Sequence, residues 1–319
     1  RTSGDDRRAR RENAVQLAAN PLRAVDDYHS KTFAYRFRAS KKEWFGWADL
    51  VEDYEAADLG ALSSKGYGAV VLPVCWMGPK PAETAIYTVM MQQFGETYPS
   101  KFIMEERPLE VDGLSGRLFL GRERHGDDEY GYLLWVAANE HCAYTLAAWA
   151  PVSDSRAGKE LAALWDDFEI GPNPMALNNY YADAAERRSN AVLLNALGLH
   201  YFEARTYREA FRFFSQAADL QPAAETYTVN SLRALVELDA YREAAEWLAL
   251  RLQFFAANRV VQSWDAWLAY QTDDAGKAIR IYSGLFASGY RDDDDFSVSL
   301  TLLADADRWE ELDRVFAEY

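Results

Sequence analysis

Apolar residues alternate along the first half of the chain and recur at longer, fixed steps along the second. Phe33, Tyr35 and Phe37 alternate with smaller or polar residues, the period of a half-buried strand. Trp44 and Trp47 follow, and the Ala- and acid-rich segment Ala48–Leu59 suits a helix. Gly66–Gly68 breaks that pattern. Ala69–Trp76 is a largely apolar run, as in a central strand, and Gly78-Pro79 ends it. Glu83–Phe94 reads as strand or helix, and the β-branched Ile86, Thr88 and Val89 favour a strand. From Pro108 the punctuation becomes regular. Leu109–Val111 runs into the turn pair Asp112-Gly113. Arg117–Glu123 and Tyr130–Ala138 read as strands around a turn at Gly126–Asp128, Asn139-Glu140 turns again, and Cys142–Trp149 is the last strand. Sequential strands joined by short turns make an antiparallel meander. Ser155–Phe168 then reads as an amphipathic helix, with Leu161, Leu164, Trp165 and Phe168 on its buried face. Gly171-Pro172-Asn173-Pro174 disfavours further helix or strand and marks a boundary.

Beyond it the tetrapeptide Tyr-Arg-Glu-Ala occurs at Tyr207–Ala210 and again 34 residues later at Tyr241–Ala244. The same step reaches Ala278 and Leu312. Around the first copy stand Leu194, Leu197, Gly198 and Tyr201, then Ala210, Phe214 and Pro222. Small residues fall where two helices would cross and large ones beside them. The second unit keeps Leu232, Leu235, Tyr241, Ala244 and Leu248, and the third keeps Ala266, Ala269, Ala278 and Tyr282. The fourth has Leu300, Leu303, Trp309, Leu312 and Phe316. A fixed period of this length predicts stacked helical hairpins.

The period and the residue classes resemble the tetratricopeptide repeat (TPR) family. That resemblance implies an all-α superhelix whose inner face is lined by the first helix of each unit. Its partner-facing positions would be Asn195, Leu199 and Phe202, then Asn230, Arg233 and Val236, then Ser263, Trp267 and Tyr270. One departure is plain. Repeats that clamp a C-terminal carboxylate use Lys, Arg and Asn at set places. Asn230 fits one of these, but Asn195, Leu199, Val260 and Trp264 do not.

The N-terminal half resembles the PsbP-like (DcrB-like) α/β/α sandwich family. The resemblance rests on Trp44 and Trp47 after the opening strand and on the Gly66 turn into Ala69–Trp76. Val111-Asp112-Gly113-Leu114, Tyr130–Val136, and Ala143–Trp149 with the helix after it complete it. It implies an antiparallel sheet with flanking helices, in a family whose members mostly bind other proteins or act as assembly factors. No functional residue carries over. The expected organisation is α+β: an N-terminal arm or short helix over 1–29, a PsbP-like domain over 30–170, a linker over 171–185, and a TPR array of about four units over 186–319.

Composition narrows the partners. The chain has 319 residues, 49% hydrophobic and 26% charged, enough for two domains with cores of their own. Fifty acidic residues against 34 basic ones give a formal charge of −16, which argues against a nucleic-acid partner. The basic run Arg7, Arg8, Arg10 and Arg11 reads as a tail or a solvated helix end. No apolar run reaches the length of a membrane span, so direct membrane insertion is not expected. The chain begins with Arg1 rather than Met, which leaves room for a preceding targeting signal and leaves cytoplasm and bacterial periplasm or cell envelope both open. Cys75 and Cys142 both sit in apolar, strand-like context. They read as small buried hydrophobes, or as a pair should their strands be neighbours.

The chemistry-bearing residues are sparse. His29, His125, His141 and His200 show no metal-ligand spacing, and two cysteines cannot build an all-thiolate zinc site. There is no nucleophile elbow, phosphate loop or dinucleotide fingerprint, so no cofactor is expected. The run Asp292–Asp295 lacks the Glu and Gly of a calcium loop and reads as a helix cap. The expected function is therefore non-enzymatic: an interaction or assembly protein holding a partner segment on the repeat face. The rival reading is an accessory or regulatory region of a larger polypeptide. Neither reading names the partner.

Overall fold

The computed structural model describes residues 28–30, 33–38, 44–46, 57–63, 65–95, 103–125, 127–171, 184–310 and 313–314. Most of the expected N-terminal arm, Trp47, nearly all of the Ala48–Leu59 helix, most of the linker, and Leu312 and Phe316 lie outside the described residues. The chain divides into two compact units, Arg1–Leu193 and Leu194–Tyr319. The fold is mixed α and β, with antiparallel sheets in the N-terminal half and helices in the C-terminal half.

The first unit contains ten described strands: β1 (Tyr28–Ser30), β2 (Tyr35–Phe37), β3 (Trp44–Gly46), β4 (Leu59–Ser63), β5 (Gly68–Cys75), β6 (Ile103–Val111), β7 (Leu114–His125), β8 (Asp128–Ala138), β9 (Cys142–Pro151) and β10 (Phe168–Ile170). Seven of them form one sheet in the order β3-β4-β5-β9-β8-β7-β6. β6 to β9 are the meander read from the turns. Asp112 and Gly113 both take positive φ, 48° and 75°, as a two-residue hairpin turn requires. The apolar run becomes β5, buried along its whole length between β4 and β9. The other three strands make a separate sheet, β1-β2-β10, that shares a core with one face of the larger one.

That core is aromatic. Tyr35 stacks on Phe168 at 5.3 Å between ring centroids, and the Tyr144 hydroxyl donates to the Phe33 carbonyl at 2.7 Å. Trp135, wholly buried on β8, sends its indole N–H across the sheet to the Leu109 carbonyl on β6, 3.1 Å away. The intervening residue of β7 is Gly116, where an added Cβ would lie 2.8 Å from the indole nitrogen and 2.5 Å from the Val136 carbonyl. Only a glycine leaves that crossing open.

β6 is the outer edge strand, and its residues from Ile103 to Pro108 are exposed. In a two-residue hairpin the flanking pair, here Val111 and Leu114, is the hydrogen-bonded one. Val111, Leu109 and Arg107 therefore turn their backbone groups toward β7. Pro108, whose nitrogen carries no hydrogen, faces outward, as a proline in a strand must.

Two expectations are corrected here. Glu83–Phe94 is not a strand but helix α1 (Glu83–Gly95). Ala85, Ile86, Val89 and Met90 are all buried, and their spacing makes one helical face. Periodicity overrode the β-branched propensity. Ser155–Phe168 is not one helix either. Helix α2 covers only Ala157–Ala162, and the chain then turns into β10. Leu161, Leu164, Trp165 and Phe168 are buried as the pattern implied, but Phe168 reaches the core by pairing with Phe37 on β2.

The strands of the two cysteines prove to be neighbours. Cys75 on β5 stands directly across from Cys142 on β9, and the two form a disulfide.

The remaining helices are α3 (Ala184–Glu203), α4 (Tyr207–Leu220), α5 (Glu225–Val236), α6 (Tyr241–Ala249), α7 (Arg259–Gln271), α8 (Ala275–Ala287) and α9 (Asp293–Asp305), with a 3-10 turn at Leu252–Phe254. The 34-residue step is present in the backbone. α4, α6 and α8 begin at 207, 241 and 275, and α5, α7 and α9 begin at 225, 259 and 293. No helix among the described residues is long and apolar enough to cross a membrane.

Candidate partner-binding site

Each hairpin of the second unit is closed by the same joint. Arg205, Asp239, Asp273 and Asp307 all take positive φ, between 55° and 64°, at 34-residue steps. At each joint two hydrogen bonds of a Schellman cap form. In the first, Thr206 N–H donates to the Tyr201 carbonyl and Arg205 N–H to the Phe202 carbonyl, both at 2.9 Å. Ala240 and Asp239 do the same with Leu235 and Val236, Asp274 and Asp273 with Ala269 and Tyr270, and Arg308 and Asp307 with Leu303 and Ala304. Asp tolerates the left-handed conformation better than most residues, which accounts for three of the four.

Inside each hairpin the crossing is made by small residues. Ala210, Ala244 and Ala278 are completely buried. At Gly198 an added Cβ would sit 2.4 Å from the Phe214 ring, so α3 and α4 approach closely only because that position has no side chain. Tyr201 fills the space beside it and stacks on Phe213 at 5.4 Å.

Burying these positions leaves the opposite face of α3, α5 and α7 open. Leu197 is buried, yet Leu199 two residues on is 41% exposed. Arg233 is exposed, while Asn195, Phe202, Trp267 and Tyr270 are half-buried and Asn230 is buried. Leu199, Arg233 and Trp267 fall at the same 34-residue step and make one row.

The structure joins some of the residues singled out from sequence. The Asn230 amide donates to the Asn195 side-chain oxygen at 2.9 Å, linking α5 to α3. The Arg233 guanidinium lies 5.4 Å from the Phe202 ring centroid, a cation–π contact between the same helices. Trp267 belongs to a different set. Its ring meets Tyr241 and Trp264 edge-on, each at 5.7 Å, and packs against the core of the second and third hairpins. Tyr270 packs against the next cluster, with Tyr282 and Leu285. Leu199 takes part in neither pair.

Sequence reading missed the contribution of Tyr241 to this face. It was visible as a repeat marker, but which neighbour its ring would meet depends on how successive hairpins stack. A further surprise lies at α9. Asp292 caps that helix as expected, accepting from the N–H groups of Asp294 and Asp295 at 3.1 Å. Asp295, though, is no surface cap residue. It is buried and accepts hydrogen bonds from Ser263, Tyr282 and Tyr290 on three different elements. Burial, and then the Asp295 carboxylate, push the Tyr282 phenol well above its ordinary range. The Tyr290 phenol is pushed up to about 12, mainly by burial.

Among the described residues no group of three or more His, Cys, Asp or Glu side chains is placed to hold a metal ion. What the face offers instead is amide, guanidinium and aromatic surface on a rigid helical support. Such surface can bond the backbone of an extended segment and pack against its side chains.

The comparisons with known proteins add little. No family model matches the chain. No curated protein matches it either. Among solved structures, one crystal structure of a protein from Bacteroides thetaiotaomicron VPI-5482 is 12% identical, over 66% of this chain and 78% of that one, with a TM-score of 0.34. A likeness that loose carries neither fold nor function.

Proposed function

We propose that the C-terminal helices form a TPR-type superhelix that holds an extended segment of a partner protein, without catalysis. The face carrying Asn195, Leu199, Phe202, Asn230, Arg233, Trp267 and Tyr270 would receive it. The observation that supports this reading is the row Leu199, Arg233 and Trp267, exposed at the first two places and half-buried at the third, repeated at the hairpin step beside buried crossing residues. A rigid row of aromatic, aliphatic and guanidinium groups is the composition that dominates binding energy at protein interfaces. We read the N-terminal unit as PsbP-like, supported by its antiparallel seven-stranded sheet with α1 and α2 beside it. Its role would be assembly rather than chemistry.

The test uses a phage-displayed random peptide library panned on the full chain. Peptides enriched on the wild type should lose about 2 kcal/mol of affinity on Arg233→Ala and on Trp267→Ala. The circular-dichroism spectrum should not change. Glu246→Ala, at an exposed position on α6, should bind as wild type does. No enrichment, or enriched peptides indifferent to both substitutions, would remove this face as the partner site.

A further inference from the structure

We infer that the Cys75–Cys142 disulfide is an oxidation-controlled lock that holds residues 184–193, the part of helix α3 within the first unit, on the sheet. β4 pairs with β5 only from Gly68 to Val71, so beyond Val71 one edge of β5 has no strand beside it among the described residues. The Asp58 N–H donates to the Val71 carbonyl at 2.9 Å, so odd-numbered residues of β5 turn their backbone groups toward that edge. The Trp76 N–H donates to the His141 carbonyl at 3.0 Å, so even-numbered ones turn toward β9. Past Val71 the open edge therefore presents Pro73, which has no N–H, and then Cys75, which has both backbone groups to satisfy.

A side chain from α3 meets that need. The Cys75 N–H donates to the Asn190 side-chain oxygen at 2.8 Å, and the Asn190 amide donates to the Cys75 carbonyl at 3.1 Å. Asn190 thus occupies the place a neighbouring strand would take. It is completely buried, as are Ala191 and Leu193 beside it on α3. Losing these two bonds would cost the Cys75 N–H and carbonyl the partners that α3 supplies.

The disulfide fixes the same residue from its other side. Cys75 and Cys142 face each other with their backbone groups turned away from one another, the arrangement that brings side chains closest across an antiparallel pair. One residue, Cys75, is therefore tied covalently to β9 and by two hydrogen bonds to α3. Beyond the disulfide this end is closed by buried Trp76, whose indole N–H donates to the Glu140 carbonyl at 3.1 Å, and by the Asn139 turn, whose side-chain oxygen accepts from the Cys142 N–H at 2.8 Å. Met77, Gly78 and Pro79 follow Trp76 and are exposed, as are Glu140 and His141 just before Cys142. The sulfurs are buried, so a reductant reaches them when this end frays. A dithiol then attacks one sulfur and closes into its own cyclic disulfide. Two electrons and two protons pass to the protein, leaving two Cys thiols. In an oxidising compartment the lock stays closed, and in a reducing one it opens.

The experiment is amide hydrogen exchange on the full chain, read by mass spectrometry over residues 71–77, 184–193 and the β7–β8 hairpin. It compares the air-oxidised chain, the dithiothreitol-reduced chain, Cys142→Ala, and Asn190→Ala with the disulfide intact. Reduction and Cys142→Ala should each speed exchange in 71–77 and 184–193 by about tenfold, the scale of one or two lost hydrogen bonds. The β7–β8 hairpin should not respond. Asn190→Ala should produce the same acceleration while oxidised, and reducing it should add nothing in 184–193. Acceleration confined to 71–77 would overturn the lock, because α3 would then dock without it. A uniform rise reaching β7 and β8 would also overturn it, by making the disulfide a support of the whole sheet. So would two free thiols in the oxidised chain.

Discussion

The two halves of this chain solve the same problem at different ranges. In the sheet unit, Tyr144 bonds to Phe33, Trp135 reaches Leu109, and Asn190 bonds to Cys75, pairs separated by 111, 26 and 115 residues. In the helical unit the cap at Asp239 bonds to Val236 and Leu235, and contacts between units, such as Asn195 with Asn230, span about one repeat. A sheet built on distant partners stands or falls together. A stack built on neighbours can lose one contact and keep the rest.

That contrast predicts unequal responses to substitution. The largest should come from Trp135→Ala, which removes a fully buried side chain and leaves the Leu109 carbonyl without its indole donor. Such changes cost about 3–5 kcal/mol. Denaturant unfolding followed separately by strand and helix signals should show the strand transition moved and the helix transition unmoved. Equal movement of both would erase the distinction.

Ala244→Leu should act more locally. Ala244 is completely buried where α6 crosses its neighbours, and overpacking there costs about 1–3 kcal/mol. Exchange rates should rise around α5 to α7 and stay unchanged in β7 and β8. A wild-type thermal midpoint would show that the 34-residue register does not place alanine at the crossings.

The smallest effect is on pH. Tyr290 has an ordinary phenol value of 10.0 and is pushed up to about 12 in the folded chain. Below pH 10 both states keep their proton and the stabilising contribution is fully present. As pH rises toward about 12 the unfolded state ionises first, and that contribution is lost. Tyr282 acts in the same direction. The melting temperature of the helical unit should therefore fall over that window, and Tyr290→Phe should fall less. An equal fall in both would separate Tyr290 from the alkaline transition.

Legibility from sequence followed the same division. Gly198, Ala210, Ala244 and Ala278 could be found because a helical repeat ties each residue to its copy at a fixed offset. In the sheet the strand boundaries from Leu109 to Trp149 were readable from turns such as Asp112-Gly113, because a turn is local. Strand order was not. That β5 lies between β4 and β9, and that Cys75 therefore faces Cys142, depends on pairing across 67 residues. Glu83–Gly95 was misread because its β-branched residues outweighed a helical spacing that becomes decisive only against the sheet. At the proposed binding face the positions were readable and the pairings were not. Nothing in the spacing says that Arg233 would lie over Phe202, or that Asp295 would be buried among three hydroxyls.

Pro108 has a consequence for how many copies of this chain can share a solution. An open sheet edge is a template on which another molecule can lay a strand, the first step of aggregation. Along β6 the outward position at Pro108 offers a carbonyl but no donor, so an incoming strand would have one acceptor unmet. The outward positions on either side are Glu106 and Glu110, both exposed, on a chain already carrying a charge of −16. At the β6 edge these residues oppose the addition of an eighth strand from another molecule. Among the described residues the edge is guarded by its own side chains and by one missing donor, not by a helix laid over it.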